Sequence, residues 1–206
     1  MFTDRVDAGR RLADLLLPLA GSDPVVLALP RGGIPVAAEI ARALQAQLDV
    51  LVVRKLGVPY QPELAMGALG EDGVVVWNDD ERRLARVSDE DVRELVRRET
   101  DEVRRRARLL RGEKRPVDVT GRTAVVVDDG AATGSTALAG CRVVRARGAA
   151  RIIVAVPVAP SSTIAKLAAE ADEVVTVLAP ASFSSVGQWY EDFSQLTDDE
   201  AVRLIW

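Results

Sequence analysis

Histidine is missing from all 206 residues, cysteine occurs once, and the aromatics amount to three Trp, two Tyr and three Phe. Without an imidazole, proton transfer falls to Asp, Glu, Lys, Tyr or a bound substrate. Cys141 alone can form no disulfide within the chain and offers no metal-ligand spacing; on the apolar face of a helix it reads as a small core residue. Lysine is scarce, with Lys55, Lys114 and Lys166 set against 24 Arg. No apolar run approaches the ~20 residues that cross a bilayer, so no membrane partner is expected. The charged opening from Asp4-Arg5 to Arg10-Arg11 is unlike a cleavable signal, and the expected location is cytoplasmic. A formal net charge of -4 lacks the positive excess that bulk phosphate binding needs, which argues against nucleic acid as the main ligand.

What the chain does have is an alternation of short β-branched runs with amphipathic segments, the pattern of a parallel α/β sheet. A hydrophobic share of 48% over this length is enough for a substantial core. Gly9, Leu12, Ala13, Leu16 and Leu17 give a first helix its apolar face. Val25 to Leu29 reads as a buried strand, and Ala37, Ile40, Ala41 and Leu44 as the stripe of the next helix. Leu48 to Val53 reads as a second strand ending at Arg54-Lys55, and Leu64 to Leu69 with Gly73 to Trp77 as a shorter antiparallel pair around Glu71-Asp72-Gly73. From Ser88, an N-cap with Asp91 three residues on, a highly charged helix runs to about Arg111. Its Arg97, Arg98, Arg104, Arg105, Arg106 and Arg108 interleave with acids, which fits a solvated, salt-bridged face or, as the other reading, an RNA or partner surface. Strands resume at Thr123 to Val127, Ile152 to Val156 and Glu173 to Leu178. Helices follow Gly134, occupy Thr163 to Ala169, and start at the capping box Thr197-x-x-Glu200 with Val202 and Ile205 on the apolar side.

The segment that carries chemistry is Ala124 to Thr136. An interior strand, Ala124 to Val127, runs straight into Asp128 and Asp129. Neighbouring carboxylates at a strand's end cannot both be buried without partners, because desolvation and like charge each disfavour ionisation. Hydroxyls or a metal would satisfy them. Gly130, Ala131, Ala132, Thr133, Gly134, Ser135 and Thr136 then form a turn of small residues whose backbone amides can approach an anion. Leu138, Cys141, Val144 and Arg145 recur at helical spacing behind it, so the turn sits at a helix N-terminus, where unpaired N–H groups and the helix dipole favour a phosphate. Acids and cradle together suit a ligand with both vicinal hydroxyls and a phosphate, such as a ribose 5-phosphate. A Walker or Rossmann loop fits worse, since no lysine follows and no third glycine falls at the required offset. A hydrolase with Asp128 as nucleophile lacks a second motif.

This stretch resembles the phosphoribosyl-pyrophosphate signature of the type I phosphoribosyltransferases: a hydrophobic strand, two acids, Gly, two small or apolar residues, Thr-Gly, a small residue and Thr, met throughout Val125 to Thr136. The resemblance extends over about Val25 to Leu178. It implies an α/β fold, an open parallel-sheet core flanked by helices, with a small lid and, in this chain, a long charged helical insertion. The expected organisation is a single domain over 1–206, with a core of about 1–180, the insertion at about 78–115 and a C-terminal lid segment at about 181–206.

The resemblance also implies roles. Asp128 and Asp129 hold the ribose hydroxyls, and residues 130 to 136 take the 5-phosphate. Pro30, Arg31, Gly32 and Gly33, leaving a strand for a helix, correspond to a pyrophosphate loop that in the family often has a strained backbone, sometimes with a cis peptide. Arg54 and Lys55 resemble a basic pair that contacts pyrophosphate. Phe183, Trp189, Tyr190 and Asp192 cluster where relatives place an acceptor-binding aromatic and acid, though core packing explains the cluster equally well. Asp128, Asp129, Lys55 and Arg31 are thus the catalytic candidates. The implied cofactor is Mg2+, held through substrate and water with Asp128 or Asp129 as the protein ligand, and no dedicated cage. The implied reaction joins ribose 5-phosphate from phosphoribosyl pyrophosphate to a nitrogenous acceptor, and a homodimer is a common family state. A different class remains open, a regulator that keeps the site but uses it to gate nucleic-acid or protein binding. The chain departs from the family at Gly57 to Glu63, where Pro59 and Pro62 stiffen the counterpart of a mobile loop.

Overall fold

The computed structural model describes residues 1–58, 61–78 and 87–206, with 61–64 described by their backbone only. Pro59 and Tyr60 of the stiffened segment, and residues 79–86 of the expected insertion, lie outside the described residues.

Strands β1 (Val25–Ala28), β6 (Thr123–Val127) and β7 (Arg151–Val158) are buried along almost their whole length. Runs without polar alternation can only be interior strands covered on both faces. With β2 (Gln47–Val50) and β8 (Glu173–Leu178) they form a five-stranded sheet in the order β2-β1-β6-β7-β8, every pair parallel. One face is covered by α1 (Arg5–Leu16), α2 (Gly33–Leu44) and α6 (Asp198–Ile205), the other by α4 (Ser135–Ala146) and α5 (Ser161–Leu167). The expected parallel α/β core is what the structure contains.

The chain leaves β1 toward β2 on one side, whereas β6 lies on the other, so the order reverses between β1 and β6. In open α/β sheets such a switch point opens a crevice beyond the strand ends. Register fixes what sits there: Ala28 pairs with Val127, and Val127 with Ala155. The Pro30 loop and the Asp128 turn therefore emerge side by side.

The apolar run Leu48 to Val53 is not one strand. The parallel pairing of β2 ends at Val50; Leu51 still donates to the Ala28 carbonyl at 2.8 Å, and Val53 then enters another sheet. That sheet is antiparallel, in the order β3 (Val53–Val58), β4 (Gln61–Gly70), β5 (Val75–Trp77), and its tight turn includes Glu71-Asp72-Gly73 as expected. Arg54 and Lys55 consequently lie within a strand of this second sheet rather than at the end of the first. Leu17, assigned to the apolar face of α1, lies beyond the helix and is 49% exposed. Arg145 is likewise exposed, because the buried face of α4 is made by Ala137, Gly140, Cys141 and Val144.

Helix α3 (Asp89–Arg111) starts at Ser88, whose side chain accepts from the Asp91 amide. Its outer face pairs Arg97 with Glu94 and Arg105 with Glu102, exposed contacts that contribute little each. Val92, Val103, Ala107 and Leu110 face inward. Its last residue, Arg111, is 4% exposed and reaches Asp49 of β2 at 2.7 Å, Glu71 at 2.5 and 2.9 Å, and the Val50 carbonyl at 2.6 Å. A buried guanidinium forked between two carboxylates ties the helix to both sheets.

Candidate functional site

The doublet at the end of β6 is held asymmetrically. Asp129 is drawn to Arg5 of α1, whose Nε lies 2.8 Å from Oδ2; Arg5 also donates to the Ser194 carbonyl and stacks on Phe193, 3.9 Å from the ring centroid. Asp128 Oδ1 accepts the Asp129 amide at 2.9 Å and forms no salt bridge among the described residues, feeling Arg5 only at longer range. Burial and then the neighbouring Asp129 charge push the Asp128 pKa well above the ordinary carboxylate value. Burial raises Asp129 too, with Arg5 pulling against it. The two acids thus differ in what they can offer a ligand: Asp129 is a charge already engaged, Asp128 a strained one.

The turn beyond them is a donor surface. Ala131 N–H is used by the Val158 carbonyl, but among the described residues no acceptor takes the amides of Ala132, Thr133, Gly134 or Thr136. Gly134, at φ 73, supplies the left-handed step into α4, and a Cβ there would lie 3.0 Å from the Thr163 methyl. Buried Thr163 fixes the turn from outside, donating to the Ala132 carbonyl at 2.6 Å. Thr133 Oγ1 and Ser135 Oγ stand 3.0 Å apart, and Thr136 is exposed beside them. Free amides, hydroxyls and the positive helix end converge as the sequence led us to expect.

The Pro30 loop packs directly on the acids. A Cβ on Gly32 would fall 2.0 Å from Asp129 Oδ2, and one on Gly33 would fall 2.5 Å from the Val127 carbonyl and 3.0 Å from Asp128 Cα. Both glycines are needed for this approach. The Pro30–Arg31 peptide is cis. The Gly33 amide is consumed by the Leu29 carbonyl at 3.0 Å, so Gly32, and not Gly33, keeps its N–H available. Arg31 turns away toward Asp198 at the start of α6, 3.2 Å distant.

Facing the turn is a cleft. One cavity of about 390 Å³ is lined by Pro30, Arg54, Lys55, Arg106, Thr133, Ser135 and Thr136 together with Leu51 to Val53. A neighbouring one of about 470 Å³ shares Lys55, Thr133 and Ser135 and adds Asn78, Arg142 and Lys166. Among the described residues no carboxylate lines either. Arg106, Arg142, Lys166 and Arg5 were not assigned to the site by sequence: no local pattern separates them from the other charges on their helices, and only the packing reveals which of them border it. Asp128 and Asp129 border the loops that frame the cleft but do not line these two cavities.

The acceptor cluster divides. Tyr190 is 6% exposed, packs on Phe2 and Phe193 with centroids 5.2 and 5.0 Å away, and donates to the Asp129 carbonyl at 2.6 Å. It is therefore a core residue that steadies the acidic turn, not an open stacking platform, and burial pushes its phenol pKa up. Phe183 and Trp189 stack on each other at 6.4 Å in the same small core, and the Trp189 indole N–H is buried with no acceptor among the described residues. Asp192 Oδ1 accepts the Ser194 amide at the surface. Cys141 is buried, its thiol pushed up to about 12 by burial, as suits a core residue.

For a divalent ion, no group of three or more His, Cys, Asp or Glu among the described residues could hold one alone. The donor set offers Asp128 as a hard oxygen ligand with its neighbour already paired. That fits an ion whose remaining ligands come from substrate and water.

A family model described as phosphoribosyl transferase domain matches residues 4–190. A protein of Mycobacterium tuberculosis, provisionally named a phosphoribosyl transferase in two strains alike, is 53% identical over 205 residues. The match covers 100% of this chain and 46% of the relative, so the chain spans about half the length of these curated relatives. The crystal structure of TT1426 from Thermus thermophilus superposes with a TM-score of 0.89 at 42% identity, over 99% of this chain and 97% of that one. AQ2163 from Aquifex aeolicus, at 10% identity, 84% and 73% coverage and a TM-score of 0.50, shares the fold alone.

Proposed function

Because the chain belongs to the phosphoribosyl transferase domain family, we propose that it transfers ribose 5-phosphate from phosphoribosyl pyrophosphate to a nitrogenous acceptor, releasing pyrophosphate. The observation that carries this reading is one cleft lined by the hydroxyl-bearing Thr133, Ser135 and Thr136 together with the cationic Arg54, Lys55 and Arg106, and by no carboxylate among the described residues. Its hydroxyls and cations are the donors that a sugar bearing phosphoryl groups requires.

In this reading the 5-phosphate seats on the free amides and hydroxyls of the turn, and that remote binding fixes the sugar. Asp128 and Asp129 hold the ribose hydroxyls and favour the positive charge that grows on the ring as the glycosidic bond breaks. Arg5, hydrogen-bonded to Asp129 Oδ2, holds that carboxylate in place for this. Lys55, Arg54 and the Gly32 amide stabilise the departing diphosphate. Mg2+ would neutralise charge on the leaving diphosphate, and Asp128 would be the residue to hold it. With no histidine in the chain, the acceptor's proton leaves to a carboxylate or to water.

A second reading is favoured by one observation: Tyr190, expected on the acceptor side, is committed to the core. A site that binds the sugar phosphate without turnover would serve a regulator. Pyrophosphate release, followed with phosphoribosyl pyrophosphate and Mg2+ across purines, pyrimidines and other amines, separates the two. Release with one acceptor class, lost in the folded double variant Asp128→Asn with Asp129→Asn, is the expected result. Binding without release for every acceptor favours the regulator.

A further inference from the structure

Six of the arginines on α3 read as one solvated face, yet Arg106 behaves differently from its neighbours. Arg97 and Arg105 each make two hydrogen bonds to a glutamate three residues back, at 2.8 to 3.1 Å. Arg105 thereby engages both oxygens of Glu102, and Arg106, whose Nε lies 3.7 Å from the same carboxylate, makes no hydrogen bond among the described residues. Successive helical residues point about 100° apart. Arg104 accordingly heads toward Gly73, Arg105 toward Glu102, and Arg106 into the cavity shared with Pro30, Lys55 and the Thr133 turn. A smaller cavity, sharing Pro30 and Arg106 with it, is lined also by Arg31, Arg105, Leu109, Leu110 and Asp198. Arg106 is thus the one residue of α3 that lines the cleft together with the Pro30 loop and the threonine turn, and its guanidinium retains donors that the helix does not use.

The geometry points to Arg106 as a binding residue for the diphosphate end of the ligand, supplied by the charged helix to the cavity it shares with Pro30, Arg54 and Lys55. The inference rests on the phosphoribosyl pyrophosphate reading. A planar guanidinium offers a fork of donors that matches phosphoryl oxygens in a way a lysine ammonium does not. It gives α3 a task at the site, and it explains why this helix is anchored to both sheets through Arg111: a clamp on the helix end holds Arg106 in register with the turn.

The test is calorimetric titration of inorganic pyrophosphate with Mg2+, and separately of ribose 5-phosphate, into wild type, Arg106→Gln, Arg106→Lys and Arg97→Gln. Arg106→Gln is expected to weaken pyrophosphate binding by about tenfold, in the range of a lost charged hydrogen bond, and to leave ribose 5-phosphate within about twofold. Arg106→Lys should recover only part of the loss, and Arg97→Gln, which removes the same charge from the outer face, should bind as wild type does. Wild-type binding of both ligands with Arg106→Gln indistinguishable from it, or an equal loss in Arg97→Gln, overturns the assignment of Arg106 alone. A wild-type protein that binds neither ligand overturns the functional reading and this assignment with it.

Discussion

Gly33 leaves no room for a side chain, and the reason lies on another strand. The Val127 carbonyl and Asp128 Cα occupy the space a Cβ would take, at 2.5 and 3.0 Å. Gly33→Ala must therefore push the Pro30 loop off β6, and we expect a stability loss of about 1–3 kcal/mol, read by urea unfolding, as for other overpacked sites. An unchanged midpoint would mean that the loop has slack the structure denies. Asp128 carries the opposite kind of tension. Its folded pKa is raised above the unfolded value of 3.8, so its ionised form weighs against the fold. That penalty is absent below pH ~3.8 and grows as pH rises to the folded value. Asp128→Asn should then raise Tm at pH 7, with the gain shrinking toward pH 4, while turnover falls, a trade of activity for stability. A variant less stable than wild type at pH 7 would contradict it. At this scale much was legible: Asp128, Asp129 and Thr133 to Thr136 announce themselves by a local pattern. Arg5 and Tyr190 do not, because their partner Asp129 lies 124 and 61 residues away and no periodicity encodes such a contact.

Among elements, the strands buried on both faces and the capped helices were readable, since burial without alternation and side-chain caps are local signals. The break after Val50 was not, for an apolar run looks the same whether it stays in one sheet or passes to another. The role of α3 was hidden for a related reason. Its charge pattern describes the outer face, whereas its attachment depends on Arg111, which meets Asp49 and Glu71 across 62 and 40 residues of sequence. Arg111→Met would leave two buried carboxylates without their counterion, and removing one partner of a buried ion pair costs about 3–5 kcal/mol. We expect a loss of that order in denaturant unfolding, with α3 detaching first in amide exchange. A loss under ~1 kcal/mol would show that water or Arg147, 3.6 Å from Glu71, replaces the clamp.

Viewed whole, the molecule is acidic yet concentrates cations on one crevice at the switch point of its sheet, where Lys55, Arg54, Arg106, Arg142 and Lys166 face a cradle of amides and hydroxyls. Net charge argued against nucleic acid as the main ligand but could not reveal this local grouping of cations, of which Arg54 and Arg142 are paired with Glu99 and Glu170. The parallel order β2-β1-β6-β7-β8 builds that crevice by bringing two loops, almost a hundred residues apart in the chain, to one edge. The proposed binding of phosphoribosyl pyrophosphate there is most directly tested by titrating that compound, with Mg2+, into wild type and Thr133→Val. The account predicts saturable binding to wild type, weakened about tenfold or more by the loss of one hydroxyl that donates to a charged phosphate. Equal affinities in the two proteins, or no binding to wild type, would contradict it.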